Sequence, residues 1–378
     1  MDSRLCWIWL QGALGCGSPL VSPLLSRFTP EDLYAADRAA LTRAEIPAPA
    51  LDALSDKSLE RARGILWRAL SDGDWLLTPA DEAYPPLLRG IYSPPLVLYG
   101  RGTLPDFTRQ PLVTVVGTRS LSRYGQKVTE MLSGDLARGG ALVVSGGAVG
   151  ADAVALTAAL DAGGLTLSVQ ACGLDVNYPA ANEDLRRRML REEGTLLTEY
   201  SYGTRVGKGT FHVRNRLLSG LSHGVCVTEA PERSGALITA RHAREQGRDV
   251  FAVPGDLTSP GSSGTNALIQ NGARLIVDAG EILEEYRPLF PAMAPRAPLP
   301  PAAVPEPLRV AQPVASLPPA GVSEAALSVW QVLTDQPRPV DEVAAELSKP
   351  IPEVLAALTE LELLGGAKSS AGQQYQRL

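Results

Sequence analysis

The chain has 378 residues, with 35 Lys and Arg against 41 Asp and Glu and a formal net charge of −6. That balance excludes a basic, histone-like coat for nucleic acid, and 45% hydrophobic with 20% charged residues excludes wholesale disorder. The length argues for two or three domains. Only five of the basic residues are Lys; the rest are Arg, whose planar fork suits bidentate contact with phosphate or carboxylate. The four cysteines (Cys6, Cys16, Cys172, Cys226) form no CxxC pair and the three histidines are scattered. The expectation is a reduced, cytoplasmic protein without metal or cofactor.

Residues 1–80 read as a small helical domain of the SAM or helix-hairpin-helix type. The apolar run Leu5 to Leu14 precedes Ala13-Leu14-Gly15-Cys16, which resembles a lipoprotein cleavage site. Asp2 cancels Arg4 and Gln11 interrupts the run, so an amphipathic core helix is expected instead. Nothing later approaches the ~18 apolar residues of a membrane span, so no membrane partner is expected. The Gly15-Cys16-Gly17 turn has two readings: backbone N–H groups that hold DNA phosphates, or plain helix packing.

Residues 81–287 alternate apolar runs with helical stretches. Val113 to Val116, Ala141 to Ser145, Leu165 to Ala171, Thr195 to Thr198, Val225 to Thr228, Val250 to Val253 and Leu275 to Val277 read as buried strands. Gln126 to Leu136, Asp152 to Leu160 and Leu237 to Glu245 read as crossover helices. The fold class is α/β, a Rossmann-like doubly wound, mostly parallel sheet, which binds ligands beyond the carboxyl ends of its strands. Three loops fall there: Gly117-Thr118-Arg119-Ser120, Ser145-Gly146-Gly147-Ala148-Val149-Gly150, and Glu229 to Gly235 with Ser234. Together they suggest a row of phosphate cradles. The segment Arg205 to Arg216 carries Arg205, Lys208, Arg214 and Arg216 and no acid. On a helix beginning near Phe211, roughly half of this charge has a structural reading. Phe211 is either a stacking face for a base or a core side chain.

Residues 288–320 form a linker in which 11 of 33 residues are Pro, an extended tether. Residues 321–378 then give three amphipathic segments, Glu324 to Leu333, Val340 to Leu347 and Pro352 to Leu364, and a terminal hairpin, the order of a winged helix. Glu342, Glu346, Glu353, Glu360 and Glu362 stand against Lys349 alone, the wrong sign for a DNA reader, so a protein-contact role is expected.

No Walker, GxSxG, HExxH or complete GxGxxG motif is present, and no catalytic residue is assigned. Asp152, Asp175 and Glu229 each sit where a turn or helix start commonly wants a carboxylate.

Ordered blocks of the middle region resemble a known family. They run from Tyr84-Pro85-Pro86-Leu87-Leu88 and Pro94 to Tyr99 through Gly117-Thr118-Arg119, Ser145-Gly146 with Gly150 and Asp152, and Gly173-Leu174-Asp175 with Tyr178-Pro179. They continue through Phe211 with Arg214-Asn215-Arg216, Ser219-Gly220-Leu221-Ser222, Glu229-Ala230, Ser234 to Ala240, Val250 to Gly255 and Asn266 to Ala273. In these the chain is similar to the bacterial DNA processing protein A (DprA, also called Smf) family. Two positions depart. The histidine usually found four residues beyond the Gly-Ile-Asp block is Leu156, and the proline of the usual Phe-Pro pair is His212.

The resemblance implies a sequence-independent single-stranded DNA-binding protein of natural transformation and recombinational repair. Such proteins protect incoming strands, help remove or bypass single-strand binding protein, and load the RecA recombinase. It implies a homodimer through the Rossmann-like domain, here near Asn266 to Tyr286, and no enzymatic activity. By position, Arg119 and Lys208 hold phosphates and Phe211 contacts a base. Arg214, Asn215, Ser145, Gly146, Gly147, Ser219, Gly220, Ser234 and Gly235 line the same region. The rival reading is a nucleoside monophosphate phosphoribohydrolase on the same scaffold, with Arg119 on the phosphate and Glu229 assisting cleavage.

Overall fold

The computed structural model describes residues 2–291, 293, 321–334, 337–370 and 374–377. The chain falls into two compact units, residues 1–299 and 300–378. Most of the expected proline-rich linker lies outside the described residues.

In the first unit, one sheet contains β1 (Trp75–Leu77), β2 (Leu98–Gly102), β3 (Leu112–Val116), β4 (Leu142–Ser145), β5 (Thr166–Val169), β6 (Thr195–Thr198), β7 (Gly224–Val227), β8 (Asp249–Ala252) and β9 (Arg274–Leu275). Their spatial order is β1-β2-β6-β5-β4-β3-β7-β8-β9. The strands from β3 to β9 are parallel to their neighbours within that set, and the fully buried, largely apolar runs of β3 to β7 suit a sheet covered on both faces. The two antiparallel strands β1 and β2, absent from the sequence reading, extend the sheet beyond β6. The chain winds from β3 outward to β6, then returns to the far side of β3 as β7. The switch point therefore lies between β3 and β7, where a ligand crevice is expected.

Both faces are covered. The helices Arg123–Arg138, Ala151–Asp161 and Gly280–Tyr286 bury Leu132, Leu136, Ala155 and Ile282 against Val113, Val115 and Val143. On the other face, Lys208–Leu221 and Ala236–Glu245 set Leu217, Leu218, Leu221 and Ala240 against Val116, Val144 and Val227. The front helices, led by Ser3–Leu14 and Glu60–Ser71, share a core with the sheet layer: Ile8, Leu10 and Leu66 cluster with Tyr99, Leu156, Met189 and Leu196. Leu156 is thus a core side chain. In the Gly15-Cys16-Gly17 turn, Gly15 is exposed while Cys16 and Gly17 turn toward Glu199. The Gly17 N–H donates to Glu199 Oε1 at 3.4 Å, the Cys16 thiol contacts the Glu199 carbonyl, and Gln11 Nε2 donates to that same carbonyl.

The second unit is a winged helix. Helices Glu324–Val332, Val340–Leu347 and Ile351–Leu363 bury Ala326, Val343 and Leu358 together. Beside them β10 (Arg338–Pro339), β11 (Ala367–Ser370) and β12 (Gln374–Arg377) make a small antiparallel sheet in the order β10-β12-β11.

One buried ion pair joins the crossover helix Lys208–Leu221 to the chain just beyond β6. Arg216 donates to Glu199 Oε2, and Glu199 is 2% exposed. Burial pushes the Glu199 carboxyl up while Arg216 pulls it down. Removing one member of such a pair strands the other. Arg216→Met is expected to cost about 3–5 kcal/mol in urea unfolding, and adding Glu199→Leu to recover most of the loss.

Candidate functional site

The Lys208–Leu221 helix is the crossover from β6 to β7, so it begins beside the carboxyl edge of the sheet. It starts three residues earlier than the sequence reading placed it, at Lys208. Thr210 closes the first turn, its Oγ1 accepting from the Gly207 N–H at 2.9 Å.

Arg214, one turn further along, is 4% exposed and forms part of the inner wall of the cavity described below, with most of its guanidinium turned into the protein. Its Nη1 donates to the carbonyls of Gly146 and Val169, both at 2.6 Å, tying the helix to the ends of β4 and β5. The buried carboxylate of Asp152 supplies its counter-charge and accepts from the Ala148 N–H at 3.2 Å. Burial lowers the Arg214 guanidinium and raises the Asp152 carboxyl from their usual ranges, each opposed by the other's charge. Gly146 has to be glycine, because a Cβ there would stand 2.1 Å from Arg214 Nη1. Of the four cations in the Arg205–Arg216 run, Arg214 and Arg216 are therefore internal and Arg205 and Lys208 face solvent.

A cavity of about 660 Å³ opens at the switch point. Its walls are the loop after β3 (Gly117, Thr118, Arg119), the start of the crossover helix (Gly207, Lys208, Phe211) and the loop after β7 (Arg233, Ser234, Gly235). Arg119, Lys208 and Arg233 are exposed and form no ion pair among the described residues. Phe211 is half-buried, neither free nor in the core. The Arg119 Cζ lies 5.1 Å from its ring centroid and the Tyr178 ring 5.7 Å away. A cation held by a ring keeps its charge unneutralised, unlike one held by a carboxylate. The helix Ala236–Glu245 adds a third element whose N-terminus, at Ser234 and Gly235, borders the cavity and favours an anion. Asn215 Nδ2 ties the crossover helix to the Gly235 carbonyl at 3.4 Å.

The other expected site residues lie elsewhere. Ser145 is fully buried, its Oγ donating to the Val115 carbonyl at 2.7 Å. Gly147 is also buried, and its carbonyl accepts from Asn182 Nδ2 at 3.0 Å. With Gly146 it shapes the β4 loop without lining the cavity. Ser219 is buried on the last turns of the helix, and Gly220 faces Leu88 and Ile91, where a Cβ would meet Leu88 at 2.8 Å. These two serve helix packing. Thr118 and Arg233 belong to two of the loops that the sequence offers as phosphate cradles, and the structure sets both on the cavity wall, whereas Tyr178 is brought to Phe211 only by the fold. The Tyr178-Pro179 block was the available signal for the last.

The candidate acids are occupied by the fold. Glu229 is 3% exposed, its Oε2 accepting from the Ser122 N–H at 2.9 Å and its carbonyl from the Thr118 N–H at 2.7 Å. Asp175 accepts from the Gly203 N–H at 2.9 Å. His212, at the departure from the family pattern, is exposed, with its Nδ1 2.8 Å from the Lys208 carbonyl. Among the described residues no cluster of His, Cys, Asp and Glu could hold a metal ion, and no helix is long and apolar enough to cross a membrane.

Residues 75–287 match the model of the family described as DNA recombination-mediator protein A, and residues 313–373 match the DprA winged helix domain. Protein Smf of Escherichia coli is 39% identical over 306 residues, 80% of this chain and 77% of the relative. The X-ray structure of DNA processing protein A from Streptococcus pneumoniae is similar with a TM-score of 0.66 and 32% identity, over 75% of this chain and 99% of that one. A structure of DNA processing protein A from Helicobacter pylori, described by its single-stranded DNA binding mode, has a TM-score of 0.50 and 31% identity, over 56% and 94% of the two chains.

Because the Gly146 carbonyl and the Arg214 guanidinium share one small space, Gly146→Ala is expected to destabilise by about 1–3 kcal/mol through overpacking. Thermal unfolding reads this out, and an unchanged Tm would refute the packing assignment.

Proposed function

The chain belongs to the DNA recombination-mediator protein A family, and on that premise we propose that it is a sequence-independent single-stranded DNA-binding protein acting in transformation and recombinational repair. The observation that carries this is the unneutralised triad Arg119, Lys208 and Arg233 around one aromatic side chain, Phe211, at the switch point of the sheet. Cations without partners attract phosphates, and the helix start at Gly235 adds N–H donors. Phe211 and Tyr178 offer ring faces to a base, a contact every base can make, worth about 1–3 kcal/mol each. No base-edge reader is required, so sequence independence follows.

The acidic molecule then holds DNA in a confined site rather than by long-range attraction. Dimerisation through the Rossmann-like domain is supported by the sheet edge at β9, where Leu275 and Val277 are 43% and 63% exposed. Transfer of the strand to RecA, with help against single-strand binding protein, is the reading for the acidic winged helix, whose Glu342, Glu346 and Glu353 are exposed. The phosphoribohydrolase reading would need Glu229 free to act, and that carboxylate holds the Ser122 turn.

Affinity for a single-stranded oligonucleotide, a duplex and a mononucleotide should be compared while free base release is assayed. Preference for the single strand without turnover is expected. Base release would support the hydrolase, and tight sequence-dependent duplex binding a transcriptional regulator. Lys208→Ala and Arg119→Ala should each weaken single-strand binding and flatten the salt dependence, the slope of log affinity against log salt falling by about 0.7 for every phosphate no longer neutralised. Unchanged affinity in both would sink the site assignment.

A further inference from the structure

A second cavity of about 670 Å³ lies between the front helices and the sheet layer of the first unit. Its walls include Trp9, Gln11 and Gly12 from the first helix, Arg61 from Glu60–Ser71, and Tyr200 beyond β6. Gly209, Thr210 and Val213 of the crossover helix close it on the near side. The same first turn of that helix gives Gly207, Lys208, Phe211 and His212 to the cavity at the switch point. The two cavities therefore flank one helix start, separated by a saddle of sequence Gly207-Lys208-Gly209. Nothing lies within 4 Å of where a Cβ would stand on either glycine, so the saddle is bare backbone with a single solvent-facing cation on it. A helix with its side chains is only about 10–12 Å across, and bare glycine backbone at its start shortens the crossing further.

The chemistry of the second cavity differs from the first. It is walled by aromatic, aliphatic and small residues, with one exposed carboxylate, Asp56, which accepts from the Ser58 N–H, and one solvent-facing cation, Arg61, which forms no ion pair or hydrogen bond among the described residues. Gln11 is 6% exposed; its Nε2 is taken by the Glu199 carbonyl, and its Oε1 has no hydrogen-bond partner there. A buried amide oxygen left without a donor is costly, and a small rotation of the Gln11 amide toward the cavity would let the exocyclic amine or ring N–H of a nucleobase supply one. The combination of ring surface, one unsatisfied acceptor and one free guanidinium suits a nucleobase with its phosphate at the rim.

We propose that the bound single strand crosses the Gly207-Lys208-Gly209 saddle and seats a further nucleobase in this second cavity, with Arg61 on the adjoining phosphate. The inference rests on single-strand binding at the switch-point cavity. It adds that the front helical segment contributes directly to the DNA path, lengthening the site by one or two nucleotides.

The test fills the cavity without disturbing the fold. A Cβ at Gly12 meets nothing within 4 Å, so Gly12→Met is accommodated and improves helix propensity. Arg61→Ala removes the exposed cation. Affinities for oligothymidylates of about 4 to about 16 nucleotides are measured for the wild-type chain and both variants, with 2-aminopurine placed singly along the longer strand. The expected result is affinity on the order of tenfold weaker for long strands in Gly12→Met, unchanged affinity for the shortest, and loss of one quenched 2-aminopurine position. Arg61→Ala should weaken long strands alone and lower the salt slope by about 0.7. If the wild-type chain binds long strands and both variants match it at every length and position, the second cavity is not on the path. If the wild-type chain binds no single strand at all, the switch-point reading itself fails.

Discussion

A buried guanidinium, that of Arg214, holds the start of the crossover helix in place. Its charge survives burial because two backbone carbonyls and the Asp152 carboxylate surround it. Those contacts fasten the helix to the ends of β4 and β5, and the first turn is thereby held beside the loop after β3. Lys208 and Phe211 then project into the switch-point cavity without any contact of their own to fix them, apart from the rings and cation around Phe211. The internal arginine stabilises; the external cations are left unsatisfied, which is the condition for anion binding.

The same helix makes a second internal attachment through Arg216 and Glu199. The Glu199 carboxylate also accepts from Gly17 and its main-chain carbonyl from Gln11, so the front helices are joined to the crossover helix by a few polar contacts around one glutamate. This explains why the glycine turn near the N-terminus carries no basic flanks. The turn packs against Glu199 through Cys16 and Gly17, while Gly15 and Cys16 also line the second cavity.

Much of the parallel sheet was legible because strands buried on both faces are continuous apolar runs, as in Val113 to Val116 or Val225 to Val227. The antiparallel strands β1 and β2 were not. Trp75–Leu77 is three residues long, and Leu98–Gly102 ends in Gly-Arg-Gly, a composition that reads as a turn. The switch-point loops were visible as glycine-rich segments between strands and helices, yet spacing could not tell wall from support. Ser145 and Gly146 lie on the same loop as Ala148, which lines the cavity, yet their atoms are turned into the protein. The charge run Arg205 to Arg216 had the same ambiguity. Helical periodicity turns Arg214 inward and leaves Lys208 outward, but only the contacts of the first turn, with its start at Lys208 rather than Phe211, resolve which cations are free.

The central claim is that one aromatic and three unpaired cations at the β3–β7 switch point hold single-stranded DNA. The most direct measurement is photo-crosslinking of a single-stranded oligonucleotide carrying 5-iododeoxyuridine to the intact chain, with adducts located by mass spectrometry. Adducts concentrated on the peptides containing Phe211 and Tyr178 are predicted. Adducts confined to the winged-helix unit, with none on those two peptides, would contradict the account.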